Sequence, residues 1–212
     1  MDNIKSGFLL INKPVGPTSH DIINKLRKIT GIKKIGHAGT LDPFASGLLI
    51  CAVGREATRE IDKFVKQKKE YVATVHLGAV TDSYDRTGKI IKEYDGEFIG
   101  EDVIKKAVLG FIGEQLQTPP MFSAKKINGK KMYELARAGK EVERQPCAIN
   151  IFTTEILSYA WPILKIKIKC SSGTYIRTIA YDLGERLGCG AYLKELERTK
   201  IGEYNVEDAI NL

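Results

Sequence analysis

The sequence has no long apolar run. No stretch approaches the ~18 uninterrupted apolar residues that a membrane helix needs, so no membrane span is expected. The opening, Met1-Asp2-Asn3-Ile4-Lys5-Ser6-Gly7, lacks the apolar core of a secretory signal. Cysteine is scarce: the four thiols at 51, 147, 170 and 189 form no CxxC pair and read as the reduced cysteines of a cytoplasmic protein. His20, His37 and His76 make no HExxH or other ligand spacing, so no metal site is expected. Neither GxGxxG nor GxxxxGK[ST] occurs, which removes the usual dinucleotide and P-loop readings. Repeats, low-complexity tracts and linkers are also missing.

What is present is an ordinary globular composition. The 212 residues are 43% hydrophobic and 28% charged, enough for one core with an insertion and too apolar for a disordered chain. Lysine and arginine number 33 against 26 acids, a net charge of +7 that suits a polyanionic partner. The excess is concentrated. Residues 22–34 hold Lys25, Arg27, Lys28, Lys33 and Lys34 with no acid, and residues 125–145 hold seven cations against three acids.

Residues 7–11 read as a buried strand ending in the turn-prone Asn12-Lys13-Pro14-Val15-Gly16-Pro17. Thr18 and Asp21 form a capping box for a helix with the stripe Ile22, Ile23, Leu26 and Ile29, stopped by Gly31. A strand over 47–53 and a helix over 55–66 follow. Residues 69–77 alternate, with Tyr71, Ala73, Val75 and Leu77 on one face, and 88–94 are expected to pair with them as a hairpin. A helix over 101–111 would bury Val103, Ile104, Ala107, Val108 and Phe111. Residues 121–145 read as an inserted basic thumb, with a turn at Asn128-Gly129 and a short helix near 130–138. Strands are expected at 148–158 and 163–170, the second with Lys165, Lys167 and Lys169 facing out. A helix over 174–187, a strand near 198–204 and a helical turn at 206–210 close the chain. The pattern predicts an α+β protein with a mixed, largely antiparallel central sheet flanked by helices.

Three segments can carry chemistry. Gly36-His37-Ala38-Gly39-Thr40-Leu41-Asp42-Pro43-Phe44-Ala45-Ser46-Gly47 forces a tight, irregular loop whose only ionisable groups are His37 and Asp42. Asp42 either reacts or closes an Asx turn on its own backbone. In Ser171-Ser172-Gly173-Thr174-Tyr175-Ile176-Arg177, Thr174 can cap a helix that puts Arg177 in its first turn. The helix dipole disfavours a cation there, so Arg177 is either solvated or held by an anion such as Asp42 or a phosphate. Tyr71 is either a core tyrosine or a platform on which a base stacks. Asp82 and Asp85 could serve metal or phosphoryl chemistry; loop caps and a local ion pair are the simpler reading.

Several stretches together resemble the TruB-type tRNA pseudouridine synthases. The glycine-rich segment 36–47 is similar to the family's catalytic motif. Asn12-Lys13-Pro14 with Gly16-Pro17-Thr18-Ser19, Lys69-Glu70-Tyr71-Val72-Ala73, and Leu77-Gly78 through Thr81, Asp85 and Gly88 match in order. So do Pro119-Pro120-Met121-Phe122-Ser123-Ala124 with Gly129-Lys130, then Tyr133 and Ala136-Arg137, Ser172-Gly173-Thr174-Tyr175-Ile176-Arg177-Thr178, and Asp182-Leu183-Gly184. The resemblance implies the pseudouridine synthase fold and an isomerase acting on the uridine at position 55 in the tRNA T stem-loop. Asp42 is then the nucleophile, Tyr71 the aromatic stacked on the flipped base, and Arg177 the partner of the catalytic carboxylate. Tyr175 and Leu196 line the uracil pocket, and His37 fills space among displaced loop bases. Lys130 and Lys131 in the thumb would contact phosphate, as would the basic helix and the 165–169 lysines. The family uses no cofactor or metal, and a monomer is expected. Two departures stand out: the chain ends without the C-terminal PUA domain common in relatives, and Glu197 places an acid where relatives are often basic. The competing readings are a tRNA-binding folding chaperone with an idle pocket and a Mg²⁺-dependent aspartyl phosphotransferase using Asp42 or Asp82.

Overall fold

The computed structural model describes residues 6–123, 126–127, 130–132 and 142–212, with the backbone alone at 126–127 and 130–131. The chain forms two compact units: residues up to Val72 together with Leu196–Leu212, and Ala73–Glu195. Two strands, β4 (Lys69–Leu77) and β12 (Ala191–Ile201), contribute residues to both.

In the first unit, β1 (Gly7–Lys13) pairs antiparallel with β3 (Ser46–Val53) from Gly7↔Val53 to Lys13↔Gly47. The short β2 (Ile35–His37) lies antiparallel on β3, and β12 runs parallel to it at Glu197↔Ser46 and Arg198↔Gly47. That parallel pair among antiparallel ones makes the sheet mixed. The β3 sequence SGLLICAV does not alternate because both its faces are buried. On one side Leu49, Cys51 and Val53 pack with Ile22, Ile23 and Leu26 of α1 (Ser19–Thr30); on the other, Leu48 and Ile50 pack with Ala38, Phe64 and Ile201. The Thr18–Asp21 capping box forms as expected, and Gly31 ends α1 in the left-handed conformation that favours glycine. The predicted helix 55–66 is two short pieces, α2 (Arg55–Glu60) and α3 (Asp62–Val65). Lys69 caps the second, its Nζ donating to the Val65 and Gln67 carbonyls at 2.7 and 2.8 Å.

In the second unit the strand order is β12, β4, β11 (Ile163–Cys170), β10 (Cys147–Ala160), β7 (Gly113–Gln117). Strand β11 alternates as predicted: Leu164, Ile166 and Ile168 are buried, Lys165 and Lys169 are exposed, and Lys167 meets Glu155 at 3.1 Å. Helix α4 (Glu101–Leu109) packs on β10 and on α5 (Ile176–Leu187).

Several expectations are corrected. Residues 88–94 do not pair with 69–77: β6 (Ile90–Glu93) pairs with a separate strand, β5 (Ala79–Thr81), because the chain turns at Gly78 with φ 89°. Ile29 and Val103 are exposed at 61% and 54%, so both helices bury a narrower stripe than predicted. The short strands β2 and β7 were not foreseen, and β12 starts seven residues before the expected 198. In the predicted thumb, β8 (Lys126–Ile127) pairs with β9 (Lys130–Lys131), so Lys130 and Lys131 belong to a strand and not to the expected helix. Met132 is helical and buried; the Asn128-Gly129 turn and residues 133–138 lie outside the described residues.

Candidate active site

Asp42 sits in the segment joining β2 to β3, and buried polar groups fix that segment on both sides of it. Ser19, the first residue of α1, donates from Oγ to the Leu41 carbonyl at 3.1 Å and accepts from the Leu41 amide at 2.9 Å. Arg198, 1% exposed on β12, donates from Nε to the Leu48 carbonyl at 2.7 Å and from Nη2 to the Gly39 carbonyl at 3.1 Å. The Gly16 amide reaches the Pro43 carbonyl at 2.8 Å, and the Ala45 amide closes a turn on the Asp42 carbonyl at 3.1 Å. Gly47 must be glycine: its φ is 103°, and a Cβ there would lie 2.4 Å from the Arg198 carbonyl oxygen.

Electrostatics converge on the same place. Lys13 at the end of β1 is fully buried, and its Nζ donates to the Pro14 and Pro17 carbonyls at 2.9 and 2.8 Å. Burial lowers its pKa to about 8; the Asp42 carboxylate pulls it up and Arg198 pulls it down. His37, at the end of β2, has its pKa lowered by burial first and by Arg198 next, so it is neutral at pH 7. The half-buried Asp42 therefore feels the charge of the Lys13 ammonium and sits on a backbone tied down on both sides.

In the second unit Arg177 is not a solvated arginine. It is 4% exposed, in the first turn of α5, and is held by acceptors from the 83–85 turn and from Phe122. Nη1 meets the Ser83 carbonyl at 3.2 Å and Asp85 Oδ2 at 3.4 Å, and Nη2 donates to the Phe122 carbonyl at 2.7 Å. Asp85 is itself fixed: its Oδ1 accepts from Ser83 Oγ at 2.9 Å, the Thr87 amide at 2.9 Å and Thr87 Oγ1 at 2.5 Å. Its carboxylate offsets the helix dipole that disfavours a cation at this position. The ion pair foreseen inside 81–86 is thus replaced by one to Arg177, 92 residues on.

Comparison with known proteins places these motifs in one family. The model for the TruB family pseudouridylate synthase N-terminal domain matches residues 27–176, and that for the tRNA pseudouridylate synthase B C-terminal domain matches 177–212. The chain belongs to the TruB family of pseudouridine synthases. It is therefore an isomerase of the class that converts uridine in tRNA to pseudouridine. It is 54% identical to tRNA pseudouridine synthase B of Protochlamydia amoebophila over 97% of this chain and 78% of that one. For the Chlamydia felis protein of the same name the figures are 49%, 98% and 88%. Among solved structures, a chain of a Cbf5–Nop10–Gar1 complex is 31% identical with a TM-score of 0.78, covering 99% of this chain and 53% of that one. A chain of an H/ACA RNP bound to a substrate RNA containing 2′-deoxyuridine is 28% identical with a TM-score of 0.72. The chain spans about half the length of those two solved chains (53% and 50%).

The remaining residues of the TruB motifs have definite places. Tyr71 is 7% exposed on β4, where its neighbour Glu70 accepts from Thr199 Oγ1 at 2.8 Å. Leu196 is buried on β12. Tyr175, partly exposed, is the N-cap of α5, and Thr174 does not fill the capping role expected of it. Thr174 Oγ1 instead donates to the Ser171 carbonyl at 2.9 Å. The Tyr175 backbone is gripped by the buried Gln117, whose side-chain amide accepts from the Tyr175 N–H at 2.8 Å and donates to its carbonyl at 3.0 Å. A cavity of about 190 Å³ opens here, lined by Gln117, Pro119, Cys147, Ser172, Gly173 and Tyr175. Among the described residues no group of three or more His, Cys, Asp or Glu side chains could hold a metal ion. No helix among them is long and apolar enough to cross a membrane.

Sequence reasoning missed Ser19 and Arg198, which hold the Asp42 segment, and Gln117, which holds Tyr175. The one available signal was their presence in or beside the TruB motifs: Ser19 in Gly16-Pro17-Thr18-Ser19, Gln117 just before Pro119-Pro120, and Arg198 two residues after Leu196.

Proposed function

We propose that this chain converts the uridine at position 55 of the tRNA T stem-loop to pseudouridine in the cytoplasm, as a monomer and without cofactor or metal. The observation that carries the reading is the fixing of the 38–48 segment by buried Ser19 and Arg198, with Asp42 its single carboxylate and Lys13 in electrostatic contact.

The target uridine is stacked in folded tRNA and is everted at a cost of a few kcal/mol. Tyr71 stacks on the everted base, Tyr175 and Leu196 line the uracil pocket, and His37, neutral at pH 7, fills space among the displaced loop bases. The Asp42 carboxylate attacks at C1′ or C6, and the bond between N1 and C1′ breaks. The uracil turns so that C5 bonds to C1′, the C5 proton leaves, and Asp42 is released. Arg177 takes the role of the arginine that the family pairs with the nucleophile, keeping it ionised. Lys130 and Lys131 of the thumb contact phosphate, positioning the RNA without reading its sequence.

The deciding experiment incubates the wild-type and Asp42→Asn proteins with an unmodified tRNA transcript and maps pseudouridine chemically. Wild type is expected to modify the T loop. Asp42→Asn is expected to bind tRNA with unchanged affinity and to form no pseudouridine. Pseudouridine made by the variant would overturn the assignment; none made by wild type, with binding intact, would favour the chaperone reading.

A further inference from the structure

Tyr84 is the one residue other than glycine with a positive φ among the described residues, at 63°. Left-handed backbone is disfavoured for a residue with a bulky side chain, and glycine or asparagine would adopt it more readily. Something must therefore hold Tyr84 in place. Its amide donates to the Thr81 carbonyl at 3.2 Å, and its carbonyl accepts from the Leu193 amide at 2.9 Å. Its ring stacks on Tyr181, with centroids 4.1 Å apart and planes 22° from parallel.

The location of this stack gives it a consequence. Tyr84 lies between Ser83 and Asp85, and those two neighbours each supply an acceptor to Arg177 Nη1, at 3.2 and 3.4 Å. Tyr181 lies four residues after Arg177 on α5, so the two side chains leave the same face of the helix. The helix thus grips the 81–88 loop twice, through an ion pair and through a ring. The left-handed kink at Tyr84 lets a main-chain carbonyl and a carboxylate on either side of it converge on one nitrogen.

We propose that Tyr84 and Tyr181 are positioning residues for the pseudouridylation reaction: their stack holds the Ser83–Asp85 kink that orients the Arg177 guanidinium. The inference deepens the reading of Arg177 given above and rests on it.

The test measures single-turnover and steady-state pseudouridine formation on an unmodified tRNA transcript, with tRNA binding in parallel. Tyr181→Ala removes the stack from the helix side without altering the loop. Tyr84→Ala removes it from the loop side, and Tyr84→Gly does so while relieving the backbone, which guards against loss through misfolding. Each is expected to lower kcat about tenfold, the rate factor to which an aromatic pair's interaction energy converts, with KM for tRNA within about twofold of wild type. Tyr84→Phe and Tyr181→Phe keep the stack and should restore the wild-type rate. The Tyr84→Ala/Tyr181→Ala double variant should be no slower than either single one. Arg177→Lys separates the two layers. If Arg177→Lys keeps full activity, the reading of Arg177 falls and takes the inference with it. If Arg177→Lys is inactive while the alanine and glycine variants keep wild-type kcat, the inference alone is overturned. A rise in KM at constant kcat would also overturn it, because the rings would then be binding RNA rather than orienting Arg177.

Discussion

Arg198 donates to the carbonyl of Gly39, 159 residues away along the chain, at 3.1 Å. A guanidinium on the edge of β12 therefore sets the path of the backbone three residues before Asp42. The same side chain anchors Leu48 on the far side of that carboxylate, so the segment is spanned as if by a staple.

Removing the staple should cost stability as well as function. Arg198→Met keeps much of the side-chain volume but removes the donor from one buried and one part-buried carbonyl, on the order of 3 kcal/mol in total. A urea titration should show the loss as a lower midpoint with unchanged slope. An unaltered midpoint would mean that water replaces the guanidinium without penalty.

Gly47→Ala should be worse tolerated than its small change in size suggests. The added methyl meets main-chain atoms of Arg198, 2.4 Å from its oxygen, and the φ of 103° is strained for alanine. Overpacking against backbone and left-handed strain together predict a loss of about 3 kcal/mol or more. A thermal melt within a degree or two of wild type would contradict the close β3–β12 approach.

Lys13 should titrate far below an ordinary lysine. Its folded pKa of about 8 lies under the 10.5 of an ordinary lysine, so between those limits the unfolded chain holds a proton that the folded chain has released. This group's contribution to stability therefore rises with pH across that window. A ¹³Cε shift titration, assigned through Lys13→Met, should give a midpoint near 8. In Asp42→Asn the midpoint should fall further, because the carboxylate that favours the ammonium is gone. A midpoint near 10.5 in both proteins would refute the electrostatic contact.

Asp85→Asn should slow the reaction more than it weakens RNA binding. The change removes the charge that Arg177 Nη1 meets at 3.4 Å and leaves the amide free to point either way. Losing one charge-assisted hydrogen bond, ~1.5–3 kcal/mol, corresponds to about a tenfold to hundredfold fall in kcat. Rapid-quench assays at saturating tRNA would measure it; a full wild-type rate would show that Asp85 only caps its loop.

The longer local elements were legible in the sequence; the short strands β2 and β7, the break in helix 55–66 and the strand partners were not. The Thr18–Asp21 box and the β11 alternation are set by near neighbours, which pattern alone reads well. Strand β6 has the right periodicity, but its pairing depends on the turn at Gly78, which periodicity does not encode. The Asp42 loop was recognisable from its glycines and its motif. Lys13, Ser19 and Arg198 were not, because a buried lysine, serine or arginine in a strand or cap resembles a solvated one until its distant acceptors are known. Arg177 is the instructive case: the dipole argument required an anion, and Asp85, 92 residues earlier, is one that the sequence did not single out for it.

Ser19 is the first residue of α1, capped by Thr18, and its hydroxyl clasps the residue just before Asp42. The start of the helix and the backbone path into Asp42 are thus parts of one hydrogen-bonded unit. A change that frays the first turn of α1 would therefore also loosen the residue that precedes Asp42, so a lesion at the helix start is felt 22 residues away.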